Sequence, residues 1–318
     1  MSCIYTLEPL SNSILDYLVE QTKEKVETID RDNLLTYPDK YFEYIEILIC
    51  RDRDNLEYII DKSPNLKFIF IVSVGVEKLP FDKLIGKDIA VANTGGVNSQ
   101  IMSQYVMGYI LYESVRILEN ADNQKKHLWK RFQCVDSLEG RNILIVGAGH
   151  SGRMIAQKAN MFGMNCIGVK KHPCKLDFFK EIISLEEMNE YLPWADYIVC
   201  TIPTTQETRD LFNYNRFSRM KESSMFINIS RSQIVVMEDL VKALRHKIIK
   251  TAVLDVFDNE PLDDKSNLWD IPNLYITPHS SGRLENFMSK AIECFVLNYN
   301  AFLAGTFIPN KIKIENGY

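Results

Sequence analysis

The sequence predicts an α/β protein with two doubly wound parallel sheets, the second carried by a domain inserted into a discontinuous first one. Three observations lead there. Short apolar runs alternate with charged, helix-compatible stretches along the chain. Many of the runs are unbroken, as in strands buried on both faces. A glycine-rich turn opens a fresh series of such runs about 140 residues in.

The length of 318 residues is enough for two domains with a sizeable core. Hydrophobic residues at 46% and charged ones at 25% place the chain with globular proteins rather than disordered ones. The 37 Lys and Arg are interspersed with 42 Asp and Glu, a net charge of -5, so neither nucleic acid nor an anionic membrane is an expected partner. Seven cysteines, an odd number with no C-x-x-C pair, read as reduced packing residues of a cytoplasmic protein. The N-terminal segment lacks a basic stretch followed by an apolar one, and no apolar run approaches about 18 residues, so no secretion signal or membrane span is expected.

In the first hundred residues the strand-like runs are 4–7, 45–50, 66–73 and 89–92. A helix is predicted over 101–118. Its apolar positions, among them Met102, Tyr105, Val106, Met107, Tyr109, Ile110, Leu111, Tyr112 and Val115, surround the whole circumference. A helix apolar all round is buried on more than one side, at a seam between domains or subunits. Six further strands are predicted at 142–146, 166–169, 197–202, 225–229, 251–256 and 274–277. After them Leu284, Phe287, Met288, Ala291, Ile292, Phe295, Tyr299 and Phe302 recur at helical spacing, giving an amphipathic helix expected to return to the first domain.

The strand at 142–146 runs straight into Gly147-Ala148-Gly149-His150-Ser151-Gly152 and then a helix-forming stretch. G-x-G-x-x-G between strand and helix is the dinucleotide fingerprint of Rossmann-like domains. Gly147 permits the tight turn, Gly149 lets backbone approach a pyrophosphate, and Gly152 allows close helix-to-strand packing. His150 and Ser151 contribute backbone amides at the helix N-terminus. His150 has no neighbouring partner for a metal, so no metal site is expected. The domains expected are therefore 1–97 with 285–318 for substrate, and 98–284 for the dinucleotide.

Three blocks beyond the glycine loop each place one reactive group at the end of a predicted strand, where open α/β sheets bind ligands. They are Asn228-Ile229-Ser230-Arg231, the stretch 255–262 with Asp255 and Glu260, and Thr277-Pro278-His279-Ser280-Ser281-Gly282. Singly, Arg231 and Glu260 read as surface charges and His279 as a loop histidine. Three at successive strand ends point to a site.

With these blocks, together with Ser73-Val74-Gly75-Val76, residues 93–105, Leu138-Glu139-Gly140-Arg141 and Pro203-Thr204-Thr205-Gln206-Glu207-Thr208 in the same order, the chain resembles the D-isomer-specific 2-hydroxy-acid dehydrogenase family. The likeness is strongest to its hydroxypyruvate and glyoxylate reductase-like members and covers nearly all the chain from Val72. It implies reduction of a small 2-oxo acid to the D-2-hydroxy acid by NADPH or NADH, in a homodimer.

The resemblance gives Arg231, Glu260 and His279 the catalytic roles, and their chemistry suits them. A guanidinium fork holds a carboxylate and polarises the adjacent oxo group. An imidazole supplies a proton near neutrality. A carboxylate on its other nitrogen fixes the tautomer. Val74 and Gly75 would give backbone amides to the substrate carboxylate, placing substrate between the domains. Asp255 would hold the nicotinamide carboxamide, Thr208 would lie by the phosphate-ribose part, and Ile202, Pro203 and Ile229 would line the cofactor.

The chain also departs from the family. Met102-Ser103-Gln104 replaces a frequent Val-Ala-Glu, and the first 65 residues match weakly, which leaves the particular acid open. No serine-feedback module is expected, because no regulatory domain follows Tyr318. Where NAD-specific sites carry a carboxylate for the adenine ribose, this chain has Lys170 followed by Lys171 and His172. Lysines attract a 2'-phosphate, so NADP is the expected cofactor over NAD. The competing reading is an NAD(P)-sensing binding protein or corepressor on the same fold; the intact Arg231, Glu260 and His279 set argues for the enzyme. A Ser-His-Glu hydrolase would need a G-x-S-x-G elbow, which the sequence lacks.

Overall fold

The computed structural model describes residues 3–316. These form two compact units, one reaching to Val97 and resuming at Glu285, the other spanning Asn98–Leu284.

In the first unit β1 (Cys3–Thr6), β2 (Lys25–Thr28), β3 (Ile47–Cys50), β4 (Phe68–Ile71) and β5 (Ala90–Asn93) are all parallel, in the order β2-β1-β3-β4-β5. β3 and β4 are buried along their whole length, which explains their unbroken apolar sequence. One sheet face is covered by the helix Phe287–Leu303, whose Ala291, Ile292, Phe295 and Tyr299 pack on Ile47, Ile49, Phe68 and Phe70. The rings of Phe295 and Tyr299 stack at 5.4 Å, and Phe302 lies 5.0 Å from Phe68.

In the second unit β6 (Asn142–Val146), β7 (Asn165–Val169), β8 (Glu181–Ile183), β9 (Tyr197–Cys200), β10 (Met225–Asn228), β11 (Thr251–Leu254) and β12 (Leu274–Ile276) form a parallel sheet ordered β12-β11-β10-β9-β6-β7-β8. The chain runs outward from β6 to β8, returns beside β6 as β9, and continues to β12. The crevice between the carboxyl ends of β6 and β9 is the topological switch point, where open sheets bind ligands.

Three expectations need correction. β2 and β8, which the apolar runs do not reveal, extend both sheets at an edge. An edge strand is paired on one side only and tolerates charge, and Lys25, Thr28 and Glu181 are exposed. The helix expected over 101–118 is two helices, Ser99–Ser114 and Ile117–Lys125. The Ser114 carbonyl accepts from the Asp136 amide of the returning chain, and Arg116 turns left-handed at φ 55°, which ends the first helix. That helix is fully buried along one face only, through Ser103, Val106, Met107 and Ile110, while Tyr105, Tyr109 and Tyr112 are half-buried. Among the described residues no helix is long and apolar enough to cross a membrane. Cys50, Cys166 and Cys200 are buried, and all seven cysteines are free.

Candidate active site

β6 ends at Val146, and the chain turns at Gly147 with φ 114°, a backbone region that side chains rarely adopt. A Cβ there would lie 2.7 Å from the Ile202 amide nitrogen, and one on Gly152 would lie 2.1 Å from the Gly147 carbonyl oxygen. Both positions require glycine. Gly149 differs: a Cβ on it would meet nothing within 4 Å, so the crest of the turn is open in front of the helix His150–Met161. The first amides of a helix lack intrahelical partners and favour an anion. Among the described residues no side chain caps this N-terminus. An open crest backed by uncapped amides fits a pyrophosphate group. Thr201 on the neighbouring strand end donates to the Gly147 carbonyl at 2.7 Å and steadies the turn.

Three more strands end at the same edge. After β12, His279 adopts a left-handed backbone at φ 52°, exposed to solvent. Its Nδ1 lies 2.7 Å from Glu260 Oε2, on the loop after β11. A carboxylate only accepts, so the ring proton of this pair belongs to Nδ1 and Nε2 is left for exchange. Glu260 is itself anchored, because Oε1 accepts the Phe257 amide at 3.0 Å. Arg231 follows β10, half-buried, with Nη1 donating to the Ser230 carbonyl at 2.9 Å. Its turn is templated by Asn228, whose Nδ2 donates to the Arg231 carbonyl at 2.9 Å and whose Oδ1 accepts the Ser230 amide at 3.1 Å. Asn228 is fully buried, and sequence reasoning assigned it no role although it lies in the same block as Arg231.

Asp255, at the end of β11, is fully buried and turned toward the histidine loop. Its Oδ1 accepts from Thr277 Oγ1 at 2.5 Å and from the Ser280 amide at 2.8 Å, and its Oδ2 accepts the Ser281 amide at 2.9 Å. The three bonds wrap the residues flanking His279 around one carboxylate. Thr208 is also directed inward: its hydroxyl donates to the Pro203 carbonyl at 2.7 Å and accepts the Thr205 amide at 2.7 Å. It braces the loop after β9.

Ile229 is buried, Ile202 half-buried and Pro203 exposed, all at the carboxyl ends of β9 and β10. The Ser151 hydroxyl lies 3.2 Å from that of Ser99. Lys170 follows β7 directly, with its amide on the Ile183 carbonyl at 2.9 Å and Nζ 3.6 Å from Cys174 Sγ. Lys171 is paired with Glu207, Nζ to the two carboxylate oxygens at 2.9 and 3.0 Å. Val74 and Gly75 lie in the first unit, after β4. Asn93 Nδ2 donates to the Val74 carbonyl and Ser73 Oγ to that of Gly75, each at 2.8 Å, which fixes both peptide planes.

An imidazole set by a carboxylate, on the same sheet edge as a turn that fits a pyrophosphate, defines a nicotinamide-dependent oxidoreductase. The model of the D-isomer specific 2-hydroxyacid dehydrogenase NAD binding domain matches residues 107–281. A glyoxylate/hydroxypyruvate reductase B from Escherichia fergusonii is 30% identical over 262 residues, 80% of each chain. A D-3-phosphoglycerate dehydrogenase from Methanocaldococcus jannaschii is 26% identical across 98% of this chain, which spans 60% of that protein's length. Among solved structures, a D-isomer specific 2-hydroxyacid dehydrogenase family protein from Aeromonas salmonicida superposes with a TM-score of 0.81 at 29% identity, covering 98% of this chain and 99% of that one. The chain belongs to the D-isomer specific 2-hydroxyacid dehydrogenase family.

Proposed function

We propose that this protein reduces a small 2-oxo acid to the D-2-hydroxy acid, and in reverse oxidises it, with glyoxylate and hydroxypyruvate as the leading substrates. The contact of 2.7 Å between His279 Nδ1 and Glu260 Oε2 carries the reading. When bound, the reduced nicotinamide supplies the hydride that goes to C2 of the acid. Arg231 holds the substrate carboxylate and polarises the oxo group with its planar fork. As C2 is reduced, charge develops on its oxygen, and His279 gives that oxygen the proton from Nε2. Glu260 accepts from Nδ1 and so fixes the tautomer and orientation of the ring. In the oxidative direction His279 takes the hydroxyl proton back.

The relatives' names support the substrate choice, since the Escherichia fergusonii protein is called a glyoxylate/hydroxypyruvate reductase. Lys170, at the end of β7, supports NADPH as the preferred reductant. A homodimer is part of the same proposal, motivated by the exposed apolar stretch that follows the helix Ser99–Ser114.

The test is a panel of 2-oxo acids, glyoxylate, hydroxypyruvate, and branched and aromatic ones, each with NADPH and NADH, following loss of the reduced-nicotinamide absorbance and the chirality of the product. Turnover of one of the two small acids to a D product is expected. Tight dinucleotide binding without turnover of any acid would overturn the enzyme reading in favour of a dinucleotide sensor.

A further inference from the structure

We propose that Tyr105 is a positioning residue for His279, acting through Thr277 and Asp255. The inference rests on the proton-transfer role of His279 given above and adds a residue from a helix remote in sequence. The Tyr105 hydroxyl hydrogen-bonds Thr277 Oγ1, across 172 positions of chain.

The direction of each bond in this chain follows from its end. The Asp255 carboxylate is an acceptor only. Thr277 has one hydroxyl proton and points it at Asp255 Oδ1, 2.5 Å away. The Thr277 oxygen is therefore the acceptor of its other bond, and Tyr105 the donor. Tyr105 must stay protonated to do this. Burial pushes its pKa upward and outweighs the lowering by the bond to Thr277, and the nearby Asp255 charge raises it further. The order Tyr105 to Thr277 to Asp255 thus has one arrangement of protons, and reversing it would leave Asp255 short of a donor.

The end of the chain is a strained loop. His279 is left-handed at φ 52°, a conformation that a residue with a side chain adopts only at a cost. Such a residue persists only where its surroundings hold it. Here the holding groups are the Ser280 and Ser281 amides on Asp255, at 2.8 and 2.9 Å, and Thr277 on the same carboxylate. Tyr105 completes the set from outside the loop. Its ring is fixed in turn by Tyr109, whose centroid is 5.0 Å away. In the sequence Tyr105 is one of many apolar positions on its helix, and nothing in its spacing marks the hydroxyl.

The test compares Tyr105→Phe, which removes one oxygen, with Tyr112→Phe, a neighbour in the same aromatic row. Thr277→Val and Thr277→Ser form a second pair, the serine keeping the hydroxyl. On the best 2-oxo acid, Tyr105→Phe and Thr277→Val are expected to lower kcat roughly five- to fiftyfold while dinucleotide affinity stays within about twofold. Their solvent deuterium isotope effect on kcat should rise, because a displaced imidazole makes proton transfer more limiting. Thr277→Ser and Tyr112→Phe should remain near the parent. A turnover-independent readout is the carbon–proton NMR signal of the His279 ring, expected to shift and broaden in Tyr105→Phe and Thr277→Val alone. An unchanged kcat and isotope effect, or an unmoved His279 signal, overturns the role of Tyr105. Absence of turnover in the parent overturns the enzyme reading instead, and the ring signal still decides this one.

Discussion

Glu260 grips His279 through Nδ1 at 2.7 Å while its other oxygen is held by the Phe257 amide, so the histidine is oriented by a carboxylate that is itself fixed. Replacing His279 with Ala removes the proposed proton donor and should lower kcat by roughly 10²- to 10⁴-fold with dinucleotide affinity retained. Glu260→Gln keeps an acceptor oxygen but weakens the contact that orients the ring, and should cost less, roughly 10- to 100-fold. Steady-state rates on the best acid, beside dinucleotide titrations, check both. Near-normal turnover in either variant removes that residue from the mechanism.

Arg231 tests the substrate half of the site. Arg231→Lys keeps the charge but not the planar fork, so KM for the acid should rise and kcat should fall together, by roughly tenfold each. Arg231→Ala should be worse on both. A change confined to the dinucleotide KM would place Arg231 elsewhere.

Much of this site is legible in the sequence, because strand-end chemistry and glycine turns are local. Gly147 and Gly152 sit in contacts that follow from strand-turn-helix geometry, and the motif encodes them. The two edge strands are not legible: Lys25-Val26-Glu27-Thr28 is too polar to show as an apolar run, since half its pairing surface faces water. The inward turn of Asp255 and Thr208 is hidden for a different reason. A carboxylate or hydroxyl at a strand end can serve a ligand, its own loop or both, and the loop contacts depend on where the fold puts Ser280, Ser281 and Pro203.

Glu8 gives a stability prediction in the first unit. Burial pushes its carboxyl up, but Arg51, bonding both oxygens at 2.8 Å, and Arg31 outweigh that and hold it below the usual carboxylate range. A folded-state pKa below the unfolded one means that this stabilisation is full above the ordinary carboxylate range and is lost as pH falls through the folded value. Glu8→Gln should therefore destabilise at neutral pH by about 2 kcal/mol, less than a fully buried pair because both arginines reach water. The deficit should shrink below about pH 4. Denaturant melts at pH 7 and pH 3.5 check this, and an equal deficit at both would contradict it.

The homodimer proposal rests on an exposed apolar stretch: Val115, Ile117, Leu118, Leu128, Trp129, Phe132 and Val135 are all open to solvent, with Trp129 and Phe132 90% exposed. Clustered exposure of large apolar side chains marks an interaction surface. Light scattering at micromolar concentration should return about twice the chain mass of 36.8 kDa. Trp129→Ser with Phe132→Ser should move it toward one chain mass, and a monomeric parent would refute the pairing.

The proposed preference for NADPH turns on the two lysines after β7. Lys170 is half-buried beside Cys174, whereas Lys171 is exposed and already shared with both oxygens of Glu207. A 2'-phosphate must compete with Glu207 for Lys171, so the attraction falls chiefly to Lys170. One partly exposed charge contact contributes on the order of 1 kcal/mol, which sets the expected preference for NADPH at roughly fivefold at low salt, and screening should erode it. Lys170→Asp repels the phosphate and offers the ribose hydroxyls an acceptor, so it should reverse the order toward NADH. Glu207→Gln withdraws the competitor and should raise the preference by a further few-fold, with little change for NADH. The comparison is kcat/KM for the two cofactors in the parent and both variants at low and high salt. A parent that uses NADH as well as or better than NADPH refutes the preference, and a Glu207→Gln variant that gains equally with both cofactors shows that the carboxylate acts on the fold and not on the phosphate.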